Sequence, residues 1–110
     1  MLSATEAVNR FPGVNVEAWK ALVDVFPVRV TRSWALRVKR ATDPLGLQAF
    51  PSNVELEADP LDMVDPVGEE GRMPVPWVVQ KHADRLLLIV TRRCHLHCRY
   101  CFRRDLDGAG

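Results

Sequence analysis

Three cysteines, the only ones in the chain, are packed into the stretch Thr91-Arg-Arg-Cys94-His-Leu-His-Cys98-Arg-Tyr-Cys101-Phe-Arg-Arg104, in a C-x3-C-x2-C spacing. Thiolate sulfur is the preferred protein ligand for iron-sulfur clusters and for zinc, so Cys94, Cys98 and Cys101 can surround one inorganic centre. A [4Fe-4S] cube has four irons and normally takes four cysteines. A loop offering three leaves one iron without a protein ligand, and chemistry can occur at that open iron. A closed zinc site instead wants four ligands in a tetrahedron, usually from paired C-x2-C or Cys/His spacings. His95 and His97 are candidates for a fourth ligand, but they lie inside the short loop, where few backbone paths turn a neighbouring imidazole toward the same metal. A disulfide framework fits worse, because the cysteine count is odd and the N-terminus does not read as a signal peptide.

The element that must present this loop is Leu86 to Val90, a continuous apolar run bounded by Asp84-Arg85 and Thr91-Arg92. It is too short for a typical helix and suits a strand buried on both faces. Ligands in such sheets gather beyond the C-terminal strand ends, and Cys94 follows closely on Val90. Upstream, Ser3-Ala-Thr-Glu6 is a capping-box pattern that starts a short helix ending by Pro12-Gly13. Asn15 is the N-cap expected for a second helix, with Val16, Trp19, Leu22 and Val23 on one face and Pro27 as its stop. Thr31 to Lys39 predicts a third amphipathic helix, carrying Trp34, Ala35 and Val38 on its apolar side. From Asp43 to Pro76, six prolines break the chain into short pieces, and only Ser52-x-x-Glu55 offers another helix start. Apolar residues such as Leu45, Phe50, Leu56, Leu61, Met63, Val75, Trp77 and Val78 mark it as a segment that wraps against something.

Composition narrows the class. A 110-residue chain is long enough for one modest core. Its 47% hydrophobic and 26% charged content is that of an ordinary soluble protein. A formal charge of +1 gives no global pull toward nucleic acid or a membrane surface. No apolar run approaches the roughly 20 residues needed to span a bilayer. The expected location is the cytoplasm, with no membrane partner.

C-x3-C-x2-C with an aromatic residue, Tyr100, before the last cysteine resembles the signature of the radical S-adenosylmethionine enzymes. The flanks Cys98-Arg-Tyr-Cys-Phe-Arg-Arg104 and Leu86-Leu-Leu-Ile-Val-Thr91 are similar to the lysine 2,3-aminomutase family within it. So are Asp43-Pro-Leu45, Pro51-Ser-Asn-Val-Glu-Leu56, Asp65-Pro-Val-Gly-Glu-Glu70 and Pro74-Val-Pro76, which stand in the family's order. The likeness covers residues 25 to 104, and Phe102 resembles the bacterial branch that makes beta-lysine for elongation factor P.

The resemblance implies a fold, a reaction and site residues. The expected fold is α/β: an N-terminal helical region over 1-42, a proline-rich wrapping segment over 43-84, and over 85-110 the first strand and cluster loop of a radical SAM (β/α) barrel. Such a barrel takes roughly 200 residues or more, and only residues 102-110 follow Cys101 here, so the chain reads as a truncated N-terminal fragment ending in the loop Asp105 to Gly110. The implied reaction converts L-lysine to beta-lysine by 2,3-amino migration, with a [4Fe-4S] cluster, S-adenosylmethionine and pyridoxal 5'-phosphate as cofactors. The fragment alone is expected to be inactive. Cys94, Cys98 and Cys101 are the implied metal ligands, Arg103 the residue that pairs with the substrate carboxylate, and Tyr100, Lys81 and Arg85 the cofactor-binding residues. An electron donor such as flavodoxin or ferredoxin and a homo-oligomer of the full-length protein are the implied partners.

Three departures from the family pattern surround the phosphate region: His82 stands where the family usually has tyrosine, Gln80 where it has histidine, and Trp77 where it has a glycine after Pro76. Two other readings stay open. One keeps the radical chemistry and changes the amino acid, for example to glutamate. The other takes the cysteines with Arg92, Arg93, Arg99, Arg103 and Arg104 as a small zinc- or RNA-binding module, which the cysteine spacing disfavours.

Overall fold

The computed structural model describes residues 1-104; the loop expected from Asp105 to Gly110 lies outside the described residues. The chain divides into two compact units. One comprises Met1–Asp59 with Cys94–Cys101, and the other comprises Pro60–Arg93 and resumes at Phe102.

The first unit is built from four short helices, each started by a side chain that accepts an otherwise unpaired backbone N–H. Helix α1, Ala4–Arg10, opens on the expected capping box. Ser3 Oγ accepts from the Glu6 amide at 3.2 Å, and Glu6 reaches back to the Ser3 amide at 3.4 Å. Helix α2, Val16–Ala21, is capped by Asn15, which accepts from the Ala18 amide at 2.9 Å. It ends earlier than expected, in turns that precede Pro27. Ala18, Trp19 and Leu22 are buried, while Val23 faces solvent.

Helix α3 is a single turn, Arg32–Ala35, capped by Thr31, rather than an element running to Lys39. Ala35 and Val38 are nevertheless buried as the pattern requires. Helix α4, Pro44–Ala49, falls in the wrapping segment, where the sequence predicts a helix start only at Ser52. Asp43 starts it by accepting from the amides of Gly46 and Lys39, both at 2.7 Å, and Pro44 fills the first turn, where a missing N–H costs nothing. These hydrogen bonds hold the Asp43 carboxyl below the usual carboxylate range. Gly46 is required by a close approach: a Cβ there would collide with the backbone carbonyls of Arg40 and Ala41. Ala49 and Phe50 are thereby carried into the core, where the Phe50 ring packs against Phe11 and Trp19 with centroids 5.4 and 6.4 Å apart.

The predicted start at Ser52-x-x-Glu55 yields only a 3-10 turn, Asn53–Leu56, with no side-chain cap. The reason is that Glu55 is bonded elsewhere, to Arg99.

The second unit holds a hairpin. Strand β1, Val78–His82, pairs antiparallel with β2, Arg85–Leu88, in the register Val78 with Leu88 and Val79 with Leu87. The expected strand at 86-90 therefore exists in part, but the four residues of β2 are exposed and no parallel pairing occurs among the described residues. Its apolar run lies on a strand exposed along its length, while in the partner strand Val79 is buried; the run is not buried between two layers. Ahead of β1, Trp77 adopts φ 73°, the left-handed region that favours glycine. Its carbonyl accepts from the Ile89 amide at 2.8 Å, and the Arg92 guanidinium stacks 4.3 Å from its ring.

Of the wrapping-segment apolar residues, Phe50 is buried, whereas Leu56, Leu61, Met63, Val75 and Trp77 are exposed. Among the described residues no helix is long and apolar enough to cross a membrane.

Candidate metal centre

The cysteine segment is an extended piece of chain held against Pro27 to Thr31. Val30 and Leu96 form an antiparallel bridge. The Thr31 amide donates to His95 O at 2.9 Å, and the His97 amide donates to Arg29 O at 2.8 Å. Leu96, between the first two cysteines, is a buried member of the core with Val30, Phe11 and Phe50. Of its neighbours, His95 is exposed and His97 is half-buried.

His97 lies flat on Phe26, rings 4.8 Å apart and 7° from parallel, with Nδ1 2.9 Å from Pro27 O. Burial pushes its imidazole below the usual histidine value, so the neutral form is favoured. This side chain packs on a ring instead of turning toward a metal.

Arg99 is the anchor of the loop, and it is buried, not part of a basic surface. Its Nε and Nη2 donate to both carboxylate oxygens of Glu55, at 2.9 and 2.7 Å for the shortest pair of bonds. Nη2 also reaches Phe26 O at 2.8 Å and Nη1 reaches Pro27 O at 3.2 Å. The guanidinium carbon sits 4.7 Å from the Phe26 ring centre. A planar five-donor group can satisfy this set at once, which a lysine could not.

All three cysteines are free thiols; Cys94 is exposed, and Cys98 and Cys101 are half-buried. The Cys101 amide donates to Cys98 O at 3.0 Å, closing a turn that keeps the last two close. Gln48 Nε2 lies 3.1 Å from Cys98 Sγ. Among the described residues no three His, Cys, Asp or Glu side chains are gathered tightly enough to hold a metal ion. The donor set nonetheless suits an iron-sulfur cluster: three soft, unoxidised sulfurs on a backbone fixed at Leu96, His97 and Arg99, with an N–H donor aimed at one of them.

The other predicted site residues are placed as follows. Tyr100 is exposed in the first unit. Lys81 and Arg85 stand on the hairpin of the second unit, where Arg85 contacts Asp84 at 3.4 Å; the Asp65 and Glu69 carboxyls are held below their usual range chiefly by the Glu70 amide and by Arg103, and the charge of Lys81 acts in the same direction. Arg103 holds a buried carboxylate: its Nε and Nη2 donate to the two oxygens of Glu69 at 2.8 and 3.0 Å. The Arg103 guanidinium in turn keeps the Glu69 carboxyl below its usual range. Asp65 shapes that loop, accepting from the amides of Glu69 and Glu70 at 3.0 and 2.9 Å.

Gln48, Glu55 and Glu69 escaped the sequence reading. Glu55 was visible as the last residue of an apparent capping box and within the stretch Pro51 to Leu56, and its true partner is 44 residues away.

No protein-family model matches the chain. Curated proteins do. L-lysine 2,3-aminomutase of Acetoanaerobium sticklandii is 34% identical over 94 residues, which cover 84% of this chain and 23% of that protein. L-lysine 2,3-aminomutase of Escherichia coli is 37% identical over 94 residues, 84% of this chain and 27% of that protein. Glutamate 2,3-aminomutase of Clostridioides difficile is 40% identical over 66 residues, 60% of this chain and 15% of that protein. The chain thus spans between 15 and 27% of the length of these relatives. With its cysteine segment and the stretches leading to it, this chain belongs, by sequence, with the lysine 2,3-aminomutase family.

Proposed function

We propose that this chain carries the cluster-binding segment of a radical S-adenosylmethionine aminomutase that converts L-lysine to beta-lysine. The observation that supports the reading is the set of three free thiols in C-x3-C-x2-C spacing, on an anchored loop, in a relative of proteins named L-lysine 2,3-aminomutase. When bound, a three-cysteine cluster with S-adenosylmethionine would supply a carbon-centred radical that can abstract hydrogen, and pyridoxal phosphate would supply an aldehyde for the substrate amine.

The chain's own residues orient these groups. Cys94, Cys98 and Cys101 hold the cluster, with Arg99 and Glu55 fixing the loop between them. Tyr100, exposed and next to Cys101, would contact the cofactor. Lys81 and Arg85 offer cations for a phosphate. Arg103 has the fork that suits a substrate carboxylate, and a substrate must share it with Glu69 or displace that partner. In this reading the remaining active site belongs to a (β/α) barrel that starts at the strand before the cysteines, and the electron donor is a flavodoxin or ferredoxin.

A second reading keeps the chemistry and changes the substrate to glutamate, favoured by the 40% identity to a glutamate 2,3-aminomutase. Anaerobic reconstitution with iron and sulfide, followed by low-temperature EPR with and without S-adenosylmethionine, tests the centre. About four irons per chain, an EPR signal that changes on adding the cofactor, and loss of both in Cys98→Ala are expected. A colourless fold that binds zinc tightly would sink the proposal. Product analysis with the full-length protein on lysine and on glutamate decides between the two substrates.

A further inference from the structure

Gln48 touches the cysteine loop twice. Its backbone carbonyl accepts from the Arg99 amide at 2.8 Å, and its side-chain Nε2 lies 3.1 Å from Cys98 Sγ. The two contacts fall on consecutive residues, so Gln48 clamps the loop at the middle ligand and at its anchor together. The side chain is held by what surrounds it. Gln48 sits in the last turn of α4, whose start is fixed by Asp43, whose middle is pressed against the Arg40 and Ala41 carbonyls at Gly46, and whose end is pinned by buried Ala49 and Phe50. Gln48 itself is half-buried, which limits the competition of water for its amide. Of the two ends of a carboxamide only the NH2 can donate, and a ligating thiolate only accepts, so the chemistry fixes the orientation of the group.

We propose that Gln48 is a positioning and tuning residue for the cysteine centre, donating an N–H to the sulfur of Cys98 and thereby stabilising the reduced state of a cluster held by Cys94, Cys98 and Cys101. This rests on the reading of those cysteines as cluster ligands. Hydrogen bonds to ligand sulfurs, together with net charge and burial, set the reduction potential of such a centre. A donor dipole aimed at sulfur offsets the negative charge gained on reduction and raises the potential. A carboxylate in the same place has the opposite effect, because it adds negative charge beside the thiolate. The backbone carbonyl of residue 48 continues to hold Arg99 whatever the side chain, so substitution removes the donor without releasing the anchor.

The test compares the parent chain with Gln48→Leu and Gln48→Glu after anaerobic reconstitution, measuring iron content, thermal unfolding and the midpoint potential by EPR-monitored redox titration. With iron content matched to the parent, the potential should become more negative in Gln48→Leu and more negative still in Gln48→Glu. Equal potentials in all three proteins would overturn the assignment. Loss of iron from a Gln48→Leu chain that still folds would overturn it too, because the residue would then be a brace and not a donor. If the leucine variant does not fold, the nearly isosteric glutamate variant alone decides, by a lowered or an unchanged potential. Failure of the parent to take up a cluster is a separate result: it removes the functional reading and this assignment together.

Discussion

Arg99 and Glu55, 44 residues apart in the chain, meet as a closed fork in which two guanidinium nitrogens face two carboxylate oxygens. With only 5% and 13% of their side chains exposed, neither partner is well hydrated. Removing one member of such a pair strands the other. Glu55→Ala is therefore expected to lower unfolding free energy by about 3 kcal/mol in chemical denaturation, whereas Glu55→Leu combined with Arg99→Met should recover part of that loss. A single substitution that leaves stability unchanged would mean that the Phe26 and Pro27 carbonyls alone hold the guanidinium.

Trp77 is a bulky residue with φ 73°, a backbone conformation that glycine adopts without strain. The aromatic ring contributes through Arg92. Both Trp77→Gly and Trp77→Ala lose that contact, but only glycine also relieves the backbone. The glycine variant should exceed the alanine variant in stability by about 1 kcal/mol, and equal values would place the strain elsewhere.

Gly46→Ala presses a methyl group into the carbonyls of Arg40 and Ala41. Helix propensity alone favours alanine by up to about 1 kcal/mol, but the collision should dominate and leave the variant about 1-3 kcal/mol less stable than the parent. A thermal melt at or above the parent's would show that α4 can shift away.

Acid should destabilise the fold through several depressed carboxyls. Glu6 is lowered first by its bond to Arg32, Glu69 by Arg103, Asp43 by the Gly46 amide and Asp65 by the Glu70 amide. A group whose folded value lies below its unfolded one stabilises the native state above the unfolded value and loses that contribution as pH falls through the folded one. Stability should accordingly hold from neutral pH down to the ordinary glutamate and aspartate values of 4.5 and 3.8, then decline below them. Glu69→Gln is expected to cost about 1-2 kcal/mol at neutral pH and to make the acid decline shallower. An unaltered acid limb would exclude Glu69 from it.

Local chemistry was legible and distant pairing was not. Ser3 and Asn15 announce helix starts because a cap acts within three residues, and each is found bonded as its type predicts. Asp43-Pro44 carries the same kind of signal, a cap followed by a proline in the first turn, but the many prolines that follow obscured it. Ser52-x-x-Glu55 misled because the reach of a glutamate to its own helix start competes with a buried arginine that only the fold supplies. The apolar run at 86-90 could not reveal which neighbour pairs with it, and the turn at Ala83-Asp84 makes that neighbour β1. The cysteine spacing was fully legible, whereas Gln48, the donor to Cys98, belongs to a separate helix and has no motif of its own.

Leu96 pins the loop that bears the three thiols to the hydrophobic core of the first unit. The core and the ligand set are therefore one cooperative structure. By mass action, any ion or cluster that binds the folded thiols more tightly than the unfolded ones must raise the melting temperature of the unit, and a substitution that loosens the core around Leu96 weakens binding to the extent that it populates the unfolded thiols. Thermal denaturation at graded iron supply then reads out occupancy of the centre without an assay of catalysis.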